Sequence, residues 1–331
     1  MRIKNSMKRI LTILGAILLM AGIAVQASDM IIESKNQSYN EADSKIKFNG
    51  DVKVTIDDMK VIGNSADVNV TNDQKLDTAT FYDKPYAFEI KKNKKREVKA
   101  NILKVSLITK IVHAEGDTQS IVFEGKTPVV VINANVQEYD TKTGVMTATG
   151  AVTMLYKDIE TFSNSAEITT DKNTGDLKKL VLIGNAHVKQ EKNDSYADKF
   201  VYDASTDNIK AFGNTTTNAI MDGGDKLTLK SSYQEYNQKR SIFNASGNVR
   251  IWYQDYYAAG PKVTLYPDPA TKKPNEAYFT GRSSITQGVR TIFADRIKMV
   301  MKPKSFDAQG NTRTVIKNIG SGSDENMTFG L

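Results

Sequence analysis

The sequence predicts an all-β protein, an elongated antiparallel sheet structure built from repeats of about 34 residues. Three observations carry this reading: a glycine that returns at a fixed period, apolar residues that alternate on either side of it, and a composition suited to strands. Thr, Val, Ile, Asn and Asp are plentiful and only 7 of the 331 residues are proline, a balance that favours many strands joined by polar turns. Hydrophobic residues make up 40% of the chain and charged residues 25%, enough apolar surface for a core and against global disorder.

The repeat glycines are Gly50, Gly116, Gly150, Gly184, Gly213, Gly247, Gly281 and Gly310, at intervals of 66, 34, 34, 29, 34, 34 and 29. The first interval holds two repeats of 33 with a degenerate member near "FYDKPYAF", residues 81–88. Eleven residues before the glycine stands an aromatic in four copies (Tyr39, Tyr139, Tyr202, Tyr236) and Val105 or Met299 in two more. Five residues before that stands a small residue: Ser34, Ala100, Ala134, Ala197, Ser231 or Ala294. A fixed period of this length means a repeat architecture.

Alternation excludes a helical repeat of the same length. Four before the glycines come Ile46, Val112, Met146, Leu180, Ile209, Phe243, Ala277 and Phe306. Two before come Phe48, Ala114, Ala148, Leu182, Ala211, Ala245, Phe279 and Ala308. Two after, Val52, Val152, Ala186 and Val249 are apolar, whereas Thr118, Thr215, Ser283 and Thr312 are small and polar. Four after come Val54, Met154, Val188, Ile251 and Ile285. Period two over roughly nine residues is a strand with one buried face. The count places the glycine on that inward face, where it marks a bend, a bulge or a close backbone approach. Upstream, Ala197 is out of phase with Phe200 and Tyr202, which predicts an irregularity between them. The stretches "NEADSK", "DTKTG", "DKNTGD", "DASTDN" and "NQKRS" supply the turns.

Residues 1–27 read as an export signal: a basic start with Arg2, Lys4, Lys8 and Arg9, an apolar run "ILTILGAILLMAGIAV", then "VQA", with cleavage expected between Ala27 and Ser28. A retained membrane anchor is the alternative, and no Cys follows the run to accept a lipid. The whole chain carries a formal +7, but the chain without the signal carries only +3, too weak a field to suggest nucleic acid. The one dense basic run is "KKNKKREVK", residues 91–99. It reads as a solvated hairpin tip, with anionic head groups as the other possibility. With no Cys in an exported chain there is no disulfide framework. Residues 28–319 then form the repeated domain and 320–331 a flexible tail.

The repeat units, among them "ADKFVYDASTDNIKAFGNTTTN", "NANVQEYDTKTGVMTATGAVTM" and "SSYQEYNQKRSIFNASGNVRIW", resemble the LptA/OstA family of lipopolysaccharide-transport proteins across nearly all of residues 30–312. The resemblance implies an elongated open β-jellyroll in the periplasm, whose hydrophobic trough holds acyl chains on the way from the inner to the outer membrane. It implies as ligand lipopolysaccharide or another acylated glycolipid. It implies as partners inner- and outer-membrane jellyroll transport proteins. The chain is longer than a minimal member, and it is expected to lack the C-terminal barrel of the outer-membrane translocon. A membrane-anchored LptC-like component, or a structural or adhesive β-solenoid with a dry core, would share the same alternation.

Residues expected to line the trough are Phe48, Val52, Val54, Met146, Val152, Met154, Leu182, Val188, Phe243, Val249, Ile251, Phe279 and Ile285, with Lys210 and Asn244 on the opposite face. No catalytic constellation, metal site or cofactor is expected. His113 and His187 fall at outward positions, and the pairs Asp57–Asp58 and Asp222–Asp225 read as turns. Trp252, Tyr256 and Tyr257 read as packing rather than a sugar groove. The first strand, near Met30–Ser38, and the last, near Thr312–Ile319, are expected to present open edges for strand pairing with partners or head-to-tail copies.

Overall fold

The computed structural model describes residues 30–317 apart from 57–58, 74, 92–93, 110, 141, 157, 172–176, 222–223 and 272. The expected signal with its Ala27–Ser28 site, the Asp57–Asp58 turn, Asp222, and the tail at 320–331 lie outside the described residues. What is described is all-β and antiparallel. In chain order the strands begin with β1 (Met30–Glu33), β2 (Asn36–Asn40), β3 (Lys45–Ile56), β4 (Met59–Val70), β5 (Leu76–Tyr82), β6 (Tyr86–Lys91), β7 (Lys94–Lys99) and β8 (Ile102–Ser106). They continue with β9 (Ile111–Glu124), β10 (Thr127–Asp140), β11 (Val145–Tyr156), β12 (Ile159–Thr170), β13 (Leu177–Gln190), β14 (Asn193–Asp203) and β15 (Asn208–Ile220). The rest are β16 (Lys226–Asn237), β17 (Ile242–Tyr253), β18 (Tyr256–Pro267), β19 (Pro274–Gln287), β20 (Arg290–Val300), β21 (Ser305–Gln309) and β22 (Arg313–Ile316).

Each long strand is two limbs joined at a corner, and the repeat glycine makes the corner. All eight repeat glycines have φ between +70° and +87°, and the residue after most of them, such as Asp51, Asp117 and Asn248, is left-handed too. Two successive left-handed residues bulge the strand and redirect it. The register records this: Asn49 pairs Ser65 but Val52 pairs Gly63, and the same slip falls at Thr149/Val152 and Ser246/Val249. The degenerate repeat keeps the corner without glycine, since Asp83 (φ 63°) and Lys84 (φ 60°) occupy its two places. The predicted irregularity is real as well. Ala197 and Phe200, three residues apart on β14, are both buried, beside the β13 corner where Ile183 pairs Lys199 and Ala186 pairs Ala197.

One expectation is corrected. The glycines do not line the core. A Cβ on Gly116 would strike the exposed Asn101, between β7 and β8, and one on Gly150 the exposed Asn135 of β10, each at 2.5 Å. The left-handed pair turns the glycine outward, which parity counting along an unbroken strand could not show.

The chain forms two compact units, one ending at Ile209 and one starting at Lys210. In the first, residues from both limbs, Phe48 before a corner and Val52 and Val54 after it, share one buried cluster with Val61, Ala66, Phe81 and Leu103. In the second, Ala245, Val249 and Ile251 do the same with Leu229, Val263, Phe279 and Ile297. Two limbs folded over a shared apolar core, strand after antiparallel strand, make each unit a β-jellyroll of the expected kind. The predicted turns form: Asn40, Asp140, Asp203 and Asn237 each accept a backbone N–H two or three residues on, at 2.8–3.0 Å. Most of "DKNTGD" lies outside the described residues.

A longer period also emerges. Gly116, Gly150 and Gly184 recur 97 residues later as Gly213, Gly247 and Gly281, and contacts recur with them. Buried Thr118 donates to the carbonyl of Ala134 (2.8 Å) and Thr215 to that of Ser231 (2.7 Å). The Gln137 amide donates to the Ile132 carbonyl and Gln234 to that of Leu229. These bonds explain why Thr stands among apolar residues two after the glycine. At Thr118 and Thr215 the hydroxyl gives a carbonyl at the bulge of the next strand a hydrogen-bond donor.

Candidate functional site

The candidate site is the interior of each unit. Of the thirteen expected lining residues, eleven are at most 5% exposed, from Val52 at 0% to Phe48 at 5%. Val188 and Phe243 are only half-buried, and Phe243 packs against the edge of the second core. Sequence reasoning missed the lining contributed by the strands that carry no repeat glycine. Val61, Val68, Ile132, Ile168, Leu229, Val263 and Leu265 are all buried. Their signal was the same alternation, read with the neighbouring strand's small residue as the anchor.

Among the described residues the first unit holds a cavity of about 10 Å³ lined only by apolar side chains. Met30, Ile32 and Phe48 form part of its wall, Met59, Val61 and Phe81 another, and Val105 and Leu107 close it. That is room for about one water molecule, so at this place the apolar side chains leave little space between the limbs.

The interior is not uniformly apolar. Arg96, expected on a solvated tip, points inward with a side chain 8% exposed and bonds Glu89 (5% exposed) at 3.1 Å. Alternation along β7 explains it, because Arg96 shares parity with the inward Val98. Burial lowers the Arg96 pKa and the Glu89 carboxylate opposes that shift. Tyr139 on β10 is pushed up to about 12, mainly by burial, with the Arg96 charge acting the other way. The rest of the basic run is also organised. Lys95 pairs with Glu97 and lies 5.3 Å from the centre of the Phe88 ring, and Tyr86 donates to Glu97 at 2.6 Å. Burial works to raise the Glu97 pKa, but the bonds from Lys95 and Tyr86 outweigh it and leave the carboxyl below its ordinary range.

The outer face carries what was expected there. His113 faces Glu138 at 3.2 Å, and Lys210 reaches Glu235 at 3.8 Å in the equivalent place 97 residues on. His187 bonds Asp194 at 2.9 Å and stacks on Phe162 and Tyr196. Asn244 accepts from Thr264. Trp252, Tyr256 and Tyr257 of "WYQDYY" do not form one groove. Trp252 and Tyr257 meet as tilted rings on the outside, whereas Tyr256 packs against the core.

The edges are as bare as the sequence suggested. Among the described residues β1 and β2 pair only with β3, and β21 and β22 only with β20. The last strand is split at the Gly310 corner, so the expected edge near Thr312–Ile319 is β22 preceded by β21, and Ile319 lies outside the described residues.

The described residues thus form a repeated antiparallel jellyroll with an apolar interior and open edge strands. The family comparison is more specific. Residues 31–126 and 131–241 match the family described as LptA/(LptD N-terminal domain) LPS transport protein. That is more than half of the chain, and the chain belongs to this family. Among solved structures it is similar to LptH of Pseudomonas aeruginosa, described as the LptA homologous periplasmic component of the conserved lipopolysaccharide transport device. The identity is 14% and the TM-score 0.34, over 39% of this chain and 95% of that one. No curated protein matches.

Proposed function

We propose that this chain is a periplasmic bridge component that shields the acyl chains of lipopolysaccharide, or of another acylated glycolipid, between the inner and outer membranes. The observation that carries the reading is the pair of apolar interiors, fed by both limbs of the long strands, in a chain of the lipopolysaccharide-transport family. A lipid in water must hide its tails. Each buried methylene contributes about 0.8 kcal/mol, so one ~12-carbon chain contributes roughly 10 kcal/mol. An interior filled by its own side chains accepts a tail when the limbs part, and tail–core contacts then replace limb–limb contacts. Apolar-for-apolar exchange makes that substitution cheap.

The open edges supply the partners. β1 and β2 at one end, β21 and β22 at the other, offer backbone groups to a strand of the inner- or outer-membrane jellyrolls, or of a second copy. Export by the segment 1–27 would place the protein in the periplasm. Lipid extraction from the protein purified out of cell envelopes, followed by mass spectrometry, tests the reading. Acylated glycolipid should accompany the protein and be lost from Ile251→Asp, which places a charge in the second core. A lipid-free parent protein would support the dry-core solenoid instead.

A further inference from the structure

In the second unit the register forms two rows. Ile251, Ala258, Ile285 and Ile292 pair in succession across one limb, and Phe243, Leu265, Ala277, Met299 and Phe306 across the other. The hairpin tips at 254–255 and 288–289 end the first limb, and the turns at 268–271 and 301–304 end the second. These tips are the two rims of a mouth over the apolar interior. Tyr256 at one rim and Phe306 at the other are half-buried, and both pack against the core that holds Ile292 and Met301.

Two exposed cations cross this mouth. Lys304, on the second rim, reaches Asp255 of the first at 3.9 Å and lies 5.9 Å from the centre of the Tyr256 ring. Arg290, on the first rim, lies over the Phe306 ring of the second at 5.2 Å. The Lys298–Glu276 pair, by contrast, joins adjacent strands on one limb. Arg290 has no carboxylate partner among the described residues. The acids of the rims are engaged locally. Asp225 and Asp255 accept the amides of Gln254 and Gln287 at 2.6 and 2.7 Å, and Asp268 accepts the N–H groups of Ala270 and Thr271 in its own turn. The mouth therefore sets two weakly compensated cations on two aromatic rings that cap the interior.

We infer that Arg290 and Lys304 form a headgroup site at this mouth: they tie the two rims together, and they turn to the phosphate groups of an acylated glycolipid when its tails part the limbs. This rests on the lipid-carrying reading above and names the end of the lipid that the rims recognise. Tails lie beneath the rings, along the apolar interior, and the phosphates stay at its water edge, so the interior itself remains unobstructed. An exposed ion pair and a cation over a ring are weak contacts. Bonds from an ammonium or a guanidinium to phosphate are charge-assisted on both sides, and the guanidinium fork matches two phosphate oxygens at once. Exchanging Asp255 and Phe306 for phosphate therefore favours the open, loaded mouth.

The test gives the full chain purified lipopolysaccharide, the same lipid stripped of phosphate, and inorganic phosphate alone. The parent should bind the phosphorylated lipid at least about tenfold more tightly than the stripped one. Arg290→Met/Lys304→Met, at two exposed positions, should bring the two affinities within about twofold. The charge-keeping Arg290→Lys/Lys304→Arg should retain the parent's preference. Opening of the mouth is read as the distance between spin labels on Ala270→Cys and Val289→Cys, exposed tips of opposite rims in a chain that has no other cysteine. That distance should lengthen when the phosphorylated lipid binds, stay fixed with inorganic phosphate, and be longer from the start in the methionine variant. A parent that binds both lipids equally, or a methionine variant with the parent's preference or rim distance, overturns the site while leaving the lipid reading intact. Opening by inorganic phosphate alone also overturns it, because the cations then answer to the free anion rather than to a lipid headgroup. A parent that binds neither lipid removes the lipid reading and the site with it.

Discussion

A single left-handed pair decides the local geometry of this chain. The recurring glycine was visible in the sequence, and so was its role as a bend, but its direction was not. Parity counting assumes an unbroken strand, and the corner rotates the glycine out of the row that contains its neighbours. Arg96 was misplaced for a related reason. Its charge argued for solvent, while its parity with Val98 argued for the core, and parity won because Glu89 stands opposite to compensate it. The corner makes a sharp prediction. At Gly150 (φ +82°) an added Cβ would come within 2.8 Å of the Asn135 Cβ, which cannot swing away. Gly150→Ala should therefore cost at least about 1–2 kcal/mol, read as a lower urea midpoint. Gly125, also left-handed (φ +62°) but at an open hairpin tip with nothing near its Cβ position, should accept Asn with little loss.

At the scale of the strand, the expectations made from alternation held wherever one face was buried and one was not. They ran out at the edges, where both faces of a short strand meet solvent and alternation carries little information. Ile31 is 59% exposed and Ile316 49%. Edge pairing in β22 can be tested without harming the fold, because the hydrogen bonds show which amides are free. Lys317 N–H donates to Val289 O, and amides alternate in direction along an antiparallel edge. Val315 N–H therefore points to β20, and Ile316 N–H points away. Ile316→Pro should keep the circular dichroism spectrum and the melting temperature of the parent while weakening self-association or docking in analytical ultracentrifugation. Val315→Pro should loosen β22 itself. An Ile316→Pro protein that assembles as well as the parent would exclude this edge as the joint.

Over the whole chain, the intervals of 34, 34 and 29 were legible, but their grouping into a 97-residue repeat became clear only through recurring contacts such as Thr118–Ala134 and Thr215–Ser231. The division into two units near residue 209 was not legible, because no proline, glycine or charge run marks it. The interior as a place for lipid is the central claim, and alternation alone cannot separate a loaded trough from a dry core. Photo-crosslinking in cells separates them most directly, with the reactive group at Ile251, 4% exposed in the second core, or at Asn244, on the outer face of the same strand. Lipopolysaccharide attached at Ile251 and absent from Asn244 is the result predicted. Equal labelling at the two positions, or none at Ile251 in a folded and exported protein, would contradict it.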